Sequence, residues 1–198
     1  MYVEWRRLNP AGLRRAQDSR RPLYERTRFF KAYCSAVVPG FLQTPGYARA
    51  LLSAIGAFRD TPDDVDEAVA ARMSRNQMLR SGNHRFVLLV EESVLRYRLG
   101  DAKVMADQLG YLQEATELPS VSLGVVPFTA QRKPLWPLES FTVFDDERIH
   151  VELLSAQVTV TAPSEIALYV RAFEKLAELA VYRTQARALI AAAADILD

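Results

Sequence analysis

Residues 85–92, RFVLLVEE, decide how this chain folds. The run is apolar from Phe86 to Val90 without alternation, the pattern of a strand covered on both faces and hence central in a sheet. It closes on Glu91 and Glu92, adjacent carboxylates that a strand would point to opposite sides. A second run of the same kind, VSLGVVPF, occupies 121–128. Between them Ser93 to Leu99 reads as a short helical turn, broken by Gly100. Asp101 then caps a helix expected over 102–117, with Val104, Met105, Leu109, Leu112 and Ala115 on one face. Strand, helix and strand in this order predict a right-handed crossover and a parallel pair.

Beyond the second run the pattern predicts three short strands, about 140–145, 148–154 and 157–162. The last two form a hairpin. Pairing across Ser155-Ala156 sets Val151 opposite Val160 and Leu153 opposite Val158, which leaves His150 and Glu152 on a polar face with Thr161 and Thr159. Pro163 opens a long helix carrying Ile166, Tyr169, Val170, Phe173, Leu176 and Ala180, and a second helical segment follows from Arg183. On the other side, VVPGFLQTPGYARALL (37–52) gives an apolar run, a Pro-Gly turn and a helix capped by Thr44 with Pro45 at its first position. Thr61-Pro62-Asp63-Asp64 repeats that signal, with Thr61 as cap, for a helix reaching about Leu79. Residues 23–38 read equally as helix or strand. Residues 2–21 read as a helix interrupted near Asn9-Pro10 and stopped by Pro22. The expected fold is α+β: a mixed sheet of about five strands surrounded by helices, mostly helical towards the N-terminus and helical at the C-terminus. Residues 1–31 form a basic helical extension and 32–198 a single domain.

At 198 residues, 49% apolar and 25% charged, the chain supports one sizeable core. The formal charge of +1 is unevenly spread. Residues 1–31 carry nine basic side chains against three acidic ones, beside an acidic remainder. Such a segment suits nucleic acid or an acidic protein surface. No helix-turn-helix pattern or zinc motif accompanies it, so sequence-specific DNA binding has no candidate reading element. Cys34 is the single cysteine. It forms no internal bridge and belongs to no metal-ligand spacing, so no metal or cofactor is expected and the cytoplasm is the expected compartment. No apolar run is long enough for a membrane span.

Walker, GxGxxG, GxSxG, HExxH and EF-hand patterns are all absent from the sequence. The candidates are polar side chains placed by inference. Glu91 and Glu92 end a buried strand, where open α/β sheets bind ligands. His150 and Glu152 share a polar strand face and suit acid–base work if that face meets a pocket. Tyr97, Trp136 and Phe141 suit an apolar pocket wall.

Several strings carry a family likeness when taken together in this order: EWRRL, GLRRAQ and PLYERTRFF within 4–30, VVPGFLQTPGYARALL, AARMSRNQMLR (70–80), VEESVLR (90–96), the VVPF ending of 121–128, and ESFTVFDD with IHVELL within 139–154. The chain resembles the C-terminal domain of unknown function of actinobacterial Xre-type helix-turn-helix regulators, here without the helix-turn-helix domain. The resemblance implies a module that senses a small apolar metabolite or a small partner protein and helps a homodimer form. The family's polar positions fall on Arg72, Arg75, Gln77, Glu92, Arg96 and Glu152. Two readings follow. One is a stand-alone sensor or accessory regulator, whose ligand contacts would be Arg72, Arg75, Gln77, Glu91, Arg96, Tyr97, Trp136 and Phe141. The other is a cofactor-independent enzyme of specialised metabolism, in which Glu92, Glu152 and His150 perform cyclisation, isomerisation or dehydration. Both expect Glu92 and Glu152 in one hollow.

Overall fold

The computed structural model of the chain describes residues 1–8, 12–133 and 135–197. In chain order its elements are β1 (Tyr2–Glu4), α1 (Trp5–Leu8), α2 (Leu13–Ser19), α3 (Arg21–Arg26), β2 (Phe29–Cys34), α4 (Pro45–Arg59), α5 (Val65–Asn76), β3 (Arg85–Glu91), α6 (Glu92–Arg96), α7 (Ala102–Ala115), β4 (Val121–Val126), β5 (Phe141–Phe144), β6 (Arg148–Glu152), β7 (Ala156–Val160), α8 (Pro163–Leu179), β8 (Val181–Tyr182) and α9 (Arg183–Ala194). Short 3-10 turns lie at Gly40–Leu42 and Gln77–Arg80.

The fold is α+β, as expected. Its mixed sheet has eight strands rather than five, in the order β1-β7-β6-β5-β2-β3-β4-β8. β3 lies between β2 and β4, parallel to both. The other pairings are antiparallel. β3 is covered on both sides because its apolar residues serve two cores. Phe86, Leu88 and Val90 pack with Met105, Leu109 and Leu112 of α7 and Ile190 of α9. Leu89 faces the other way, into a core with Phe173 and Leu176 of α8. Asp101 caps α7, accepting from the Val104 amide at 2.8 Å. Thr44 caps α4 through the Tyr47 amide at 3.4 Å.

The differences have physical causes. Residues 23–38 are helix and then strand, α3 and β2, and Pro22 starts α3 instead of stopping a helix. Pro22 lacks an N–H that the first turn does not use. Tyr2–Glu4 is an edge strand against β7, so the N-terminal segment is not wholly helical. The break expected at Asn9-Pro10 lies outside the described residues. The hairpin β6–β7 pairs Val151 with Val158 and His150 with Thr159, two residues away from the expected register. A slip of two keeps every side chain on its face, so the polar face survives. Thr61 does not cap α5, which begins at Val65 with Asp64 at its N-cap. Among the described residues no helix is long and apolar enough to cross a membrane.

Candidate functional site

The sheet face that carries Phe30, Phe86, Leu88 and Phe144 changes character towards β6, where Thr142 lies opposite His150 and Glu152 follows. Apolar filling runs out there, and a hollow of about 270 Å³ remains. Its floor is Ala32 and Cys34 of β2, Thr142 and Phe144 of β5, and His150 and Glu152 of β6. Its walls are Tyr24 of α3, Arg72 and Arg75 of α5, Leu51 and Ile55 of α4, the segment 37–41, and Arg20.

Local sequence explains this convergence. Arg72 and Arg75, three apart on a helix, project to the same side, while Ala68 and Val69 of α5 bury against Leu13 of α2. The basic N-terminal segment is held down by Asp64, whose carboxylate accepts the backbone N–H groups of Leu13 at 2.9 Å and Arg14 at 2.8 Å. A residue at the N-cap of one helix thus satisfies the first turn of another. Gly12 (φ 97) permits it, since a Cβ there would lie 2.2 Å from the Asp64 carboxylate. With α2 docked, the Gln17 side-chain carbonyl accepts from Arg72 Nε at 3.3 Å and from Arg75 at 3.0 Å. Arg72 also donates to the Gln43 side-chain carbonyl. The Arg75 guanidinium lies 4.9 Å from the centre of the Tyr24 ring and 5.4 Å from that of Phe41.

The electrostatics are unbalanced. Three guanidinium groups line the hollow against one carboxylate, Glu152, which pairs with Arg20 at 3.0 Å. Arg72 is 8% exposed and, like Arg75, forms no ion pair among the described residues. Burial, then the charges of Arg75 and Arg20, push the Arg72 pKa down to about 9. The group stays protonated at neutral pH, so the shift expresses the cost of an uncompensated buried cation. Burial pushes the Glu152 carboxyl up, but Arg20, Arg72 and Arg59 outweigh it and hold the group below its ordinary range. The carboxylate is nevertheless open to solvent, with 59% of its side-chain surface exposed.

The other titratable groups are poorly poised for proton transfer. Burial, Arg20 and Arg148 lower the His150 pKa to about 4, which leaves the imidazole neutral. Burial and the Glu152 charge push the Cys34 thiol up to about 12, so it is no thiolate nucleophile. The site is rich in charged donors and poor in acid–base pairs.

Residues 27–192 match the model of a family described as a domain of unknown function, DUF5753. The chain belongs to this family. No curated protein matches it. Among solved structures it is similar to TrmBL2, an archaeal chromatin protein described as showing a novel mode of DNA binding, with 12% identity and a TM-score of 0.41. The match covers 92% of this chain and 52% of that one, so the chain spans about half of that protein's length. A likeness this distant carries no argument about function.

In this DUF5753 domain the hollow gathers Arg72, Arg75, Phe141, His150 and Glu152 from the residues singled out in the sequence. The expectation that Glu92 joins Glu152 is overturned. Both lie at the same end of the sheet, but β3 and β6 are three strand spacings apart, about 14 Å. Glu92 is spent locally, accepting from Arg96 at 2.8 Å and from the Phe128 amide at 2.9 Å, which ties down the chain after β4. Glu91 accepts from Tyr33 at 2.5 Å and from Arg132. Arg96 is therefore a structural partner and not a hollow residue. Gln77 borders a separate depression beside Tyr111, Tyr97 is 53% exposed, and Trp136 is 69% exposed on a groove along α8. Sequence reasoning missed Arg20, Tyr24, Gln17 and Gln43. The one available signal was the run of arginines ahead of Phe29, which registered only as a charge imbalance.

Proposed function

We propose that this domain is a non-enzymatic binding module that takes a small molecule into the hollow on β2, β5 and β6. The observation that carries this reading is the convergence of Arg20, of Arg72 and Arg75 from α5, and of His150 and Glu152 from β6 on space that no protein atom fills. An acid–base enzyme needs a poised pair of titratable groups. Here the proposed acid–base residues are a neutral imidazole, a carboxylate already paired with Arg20, and a second carboxylate well away at the start of α6.

The resemblance to Xre-type regulators gives such a module a role as sensor or accessory regulator in the cytoplasm. Because Arg20, and Tyr24 of α3, form part of the wall and Gln17 of α2 holds Arg72 and Arg75, occupancy of the hollow would be felt by the N-terminal segment, which in such regulators follows the DNA-binding domain. A partner protein and a homodimer remain part of the same proposal.

Thermal denaturation against a library of small metabolites tests it, with mass spectrometry of the recovered compound. A ligand at one hundred times its Kd contributes about 2.7 kcal/mol, or a rise of about 5–10 °C for a chain of this size. The compound should be recovered unchanged. Conversion by the wild type and not by Glu152→Gln would overturn the binding-only reading in favour of an enzyme.

A further inference from the structure

We infer that the ligand is an oxyanion, a carboxylate or phosphate carried on a small apolar body, with its charged end on Arg72 and Arg75. This rests on the reading of the hollow as a ligand site and names the chemical class it takes.

The first argument is the way the two arginines are held. They lie one helical turn apart and both donate to the same neutral atom, the Gln17 side-chain carbonyl oxygen. Gln43 supplies a second neutral acceptor to Arg72. Amide carbonyls fix the direction of the guanidinium forks without cancelling their charge; a carboxylate in either position would have quenched it. Positioning without neutralisation is what an anion site requires, and planar guanidinium groups match the oxygens of carboxylate and phosphate two at a time. A purely structural arginine would be expected to end on an acid.

Donor capacity is also left over. Arg75 Nε is buried with no hydrogen-bond partner among the described residues. The one carboxylate that lines the hollow is committed to Arg20. An incoming oxyanion would restore the balance of charge.

The rest of the lining sets the body of the ligand. Tyr24 and Phe144 stack at 5.7 Å, Phe144 and His150 lie 4.8 Å apart, and Phe41 packs edge-on to Tyr24 at 5.3 Å. Such a surface accepts a flat or aliphatic group and offers it few hydrogen bonds. At about 270 Å³ the hollow sits just below the roughly 300–1,000 Å³ of common ligand pockets, which selects a small compound.

The test compares charged and neutral probes of one shape: benzoate, phenylacetate and phenyl phosphate against benzamide, at constant ionic strength, by calorimetry and by amide chemical shifts of the full chain. The anions should bind at least tenfold more tightly than benzamide. Arg75→Gln should weaken the anions about 10–100-fold, the loss expected for one charge-assisted hydrogen bond, and leave benzamide unchanged. Glu152→Gln, which removes the one acid lining the hollow among the described residues, should tighten them; a merely structural Glu152 predicts no such gain. The comparison of anion with amide needs only the wild type, so it stands even if a variant fails to fold. Equal binding of benzoate and benzamide overturns the anion assignment while the ligand-site reading survives. No binding of any anion, alongside a neutral metabolite that raises the melting temperature, overturns it in the same way. If no compound of any class binds in the hollow, the reading it rests on fails with it.

Discussion

Replacing Asp64 with alanine should destabilise the domain by about 2 kcal/mol. The carboxylate accepts two backbone N–H bonds from the first turn of α2, at 2.9 and 2.8 Å, and α2 has no side-chain cap of its own. Hydrogen bonds to a charged group contribute roughly 1.5–3 kcal/mol each when shielded. Here the Arg14 bond is exposed and the Leu13 bond half-buried. The sum therefore falls towards the value of a lost N-cap, roughly 0.5–2 kcal/mol, plus the favourable meeting of a negative charge with the helix N-terminus. Asp64 makes no side-chain hydrogen bond to its own helix, so the hydrogen-bond part of the loss belongs to the contact with α2. For a chain of this length about 2 kcal/mol corresponds to a fall of about 4–8 °C in Tm. Asp64→Asn keeps one acceptor without the charge and should fall between wild type and alanine. Urea and thermal denaturation followed by circular dichroism give the totals, and hydrogen exchange at α2 shows whether the loss is local. Because Gln17 rides on α2, ligand affinity should fall in proportion to the fraction of molecules with α2 docked. A loss below about 0.5 kcal/mol, with α2 amides as protected as before, would refute the reasoning, since that is the size of an ordinary surface substitution.

Other outcomes follow from the same geometry. His150 has a folded pKa of about 4 against an ordinary 6.5, so the native state binds fewer protons than the unfolded one. Its contribution, on the order of 3 kcal/mol, is present in full above about pH 6.5 and lost as pH falls towards 4; His150→Phe should flatten the urea midpoint over that window, and an unchanged slope counts against it. Glu152, held low by its guanidinium neighbours, acts in the same direction at more acid pH, because protonation gives up the pair with Arg20. Cys34 should resist iodoacetamide at pH 8 by at least about 100-fold relative to the unfolded chain, since its thiol titrates near 12; fast labelling of the native protein, read by mass spectrometry, would contradict this. At Gly124 a Cβ would lie 2.7 Å from the Tyr182 ring and 2.8 Å from Leu89, so Gly124→Ala should cost about 1–3 kcal/mol in chemical denaturation.

What the sequence disclosed depended on how local each signal was. β3, β4 and the crossover between them were legible because an unbroken apolar run is written within a single element. The caps at Thr44 and Asp101 were legible for the same reason. Asp64 shows the limit. Thr-Pro-Asp-Asp carries a local capping signal, yet the carboxylate is used by a helix some fifty residues earlier, and a tertiary partner overrides the local rule. The hairpin shows a milder version: the turn sits one residue earlier than expected, the pairing moves by two, and the alternation of faces is untouched. β1 and β8 are too short to leave a periodic trace. In the site, Glu152 and His150 were reachable through that alternation, and Arg72 and Arg75 through the family resemblance. Arg20, Tyr24 and Gln17 were not, because residues 1–31 read as an appendage, whereas Arg20 and Tyr24 line the hollow and Gln17 holds its arginines.

The placement of that wall bears on how the domain would work. Among the described residues three guanidinium groups line the hollow with one acid, Glu152, to meet them, and burying such charges unpaired costs stability. Two neutral glutamines hold the forks in place, and Gln17 reaches them from α2, which Asp64 and the packing of Leu13 hold against α5. Ligand-free, the arginines repel one another across this contact. With an anion bound, the repulsion becomes attraction on both sides of the ligand, towards α5 and towards α2 and α3. Occupancy and docking of the N-terminal segment are then linked, and by reciprocity whatever holds that segment in place must tighten the ligand by the same factor. A sensor needs such an element, one whose order depends on the ligand, and here the same segment also carries β1, which pairs with β7 next to β6 of the hollow. In the proposed reading that element is the basic segment, and the charge of its Arg20 belongs to the proposed binding site.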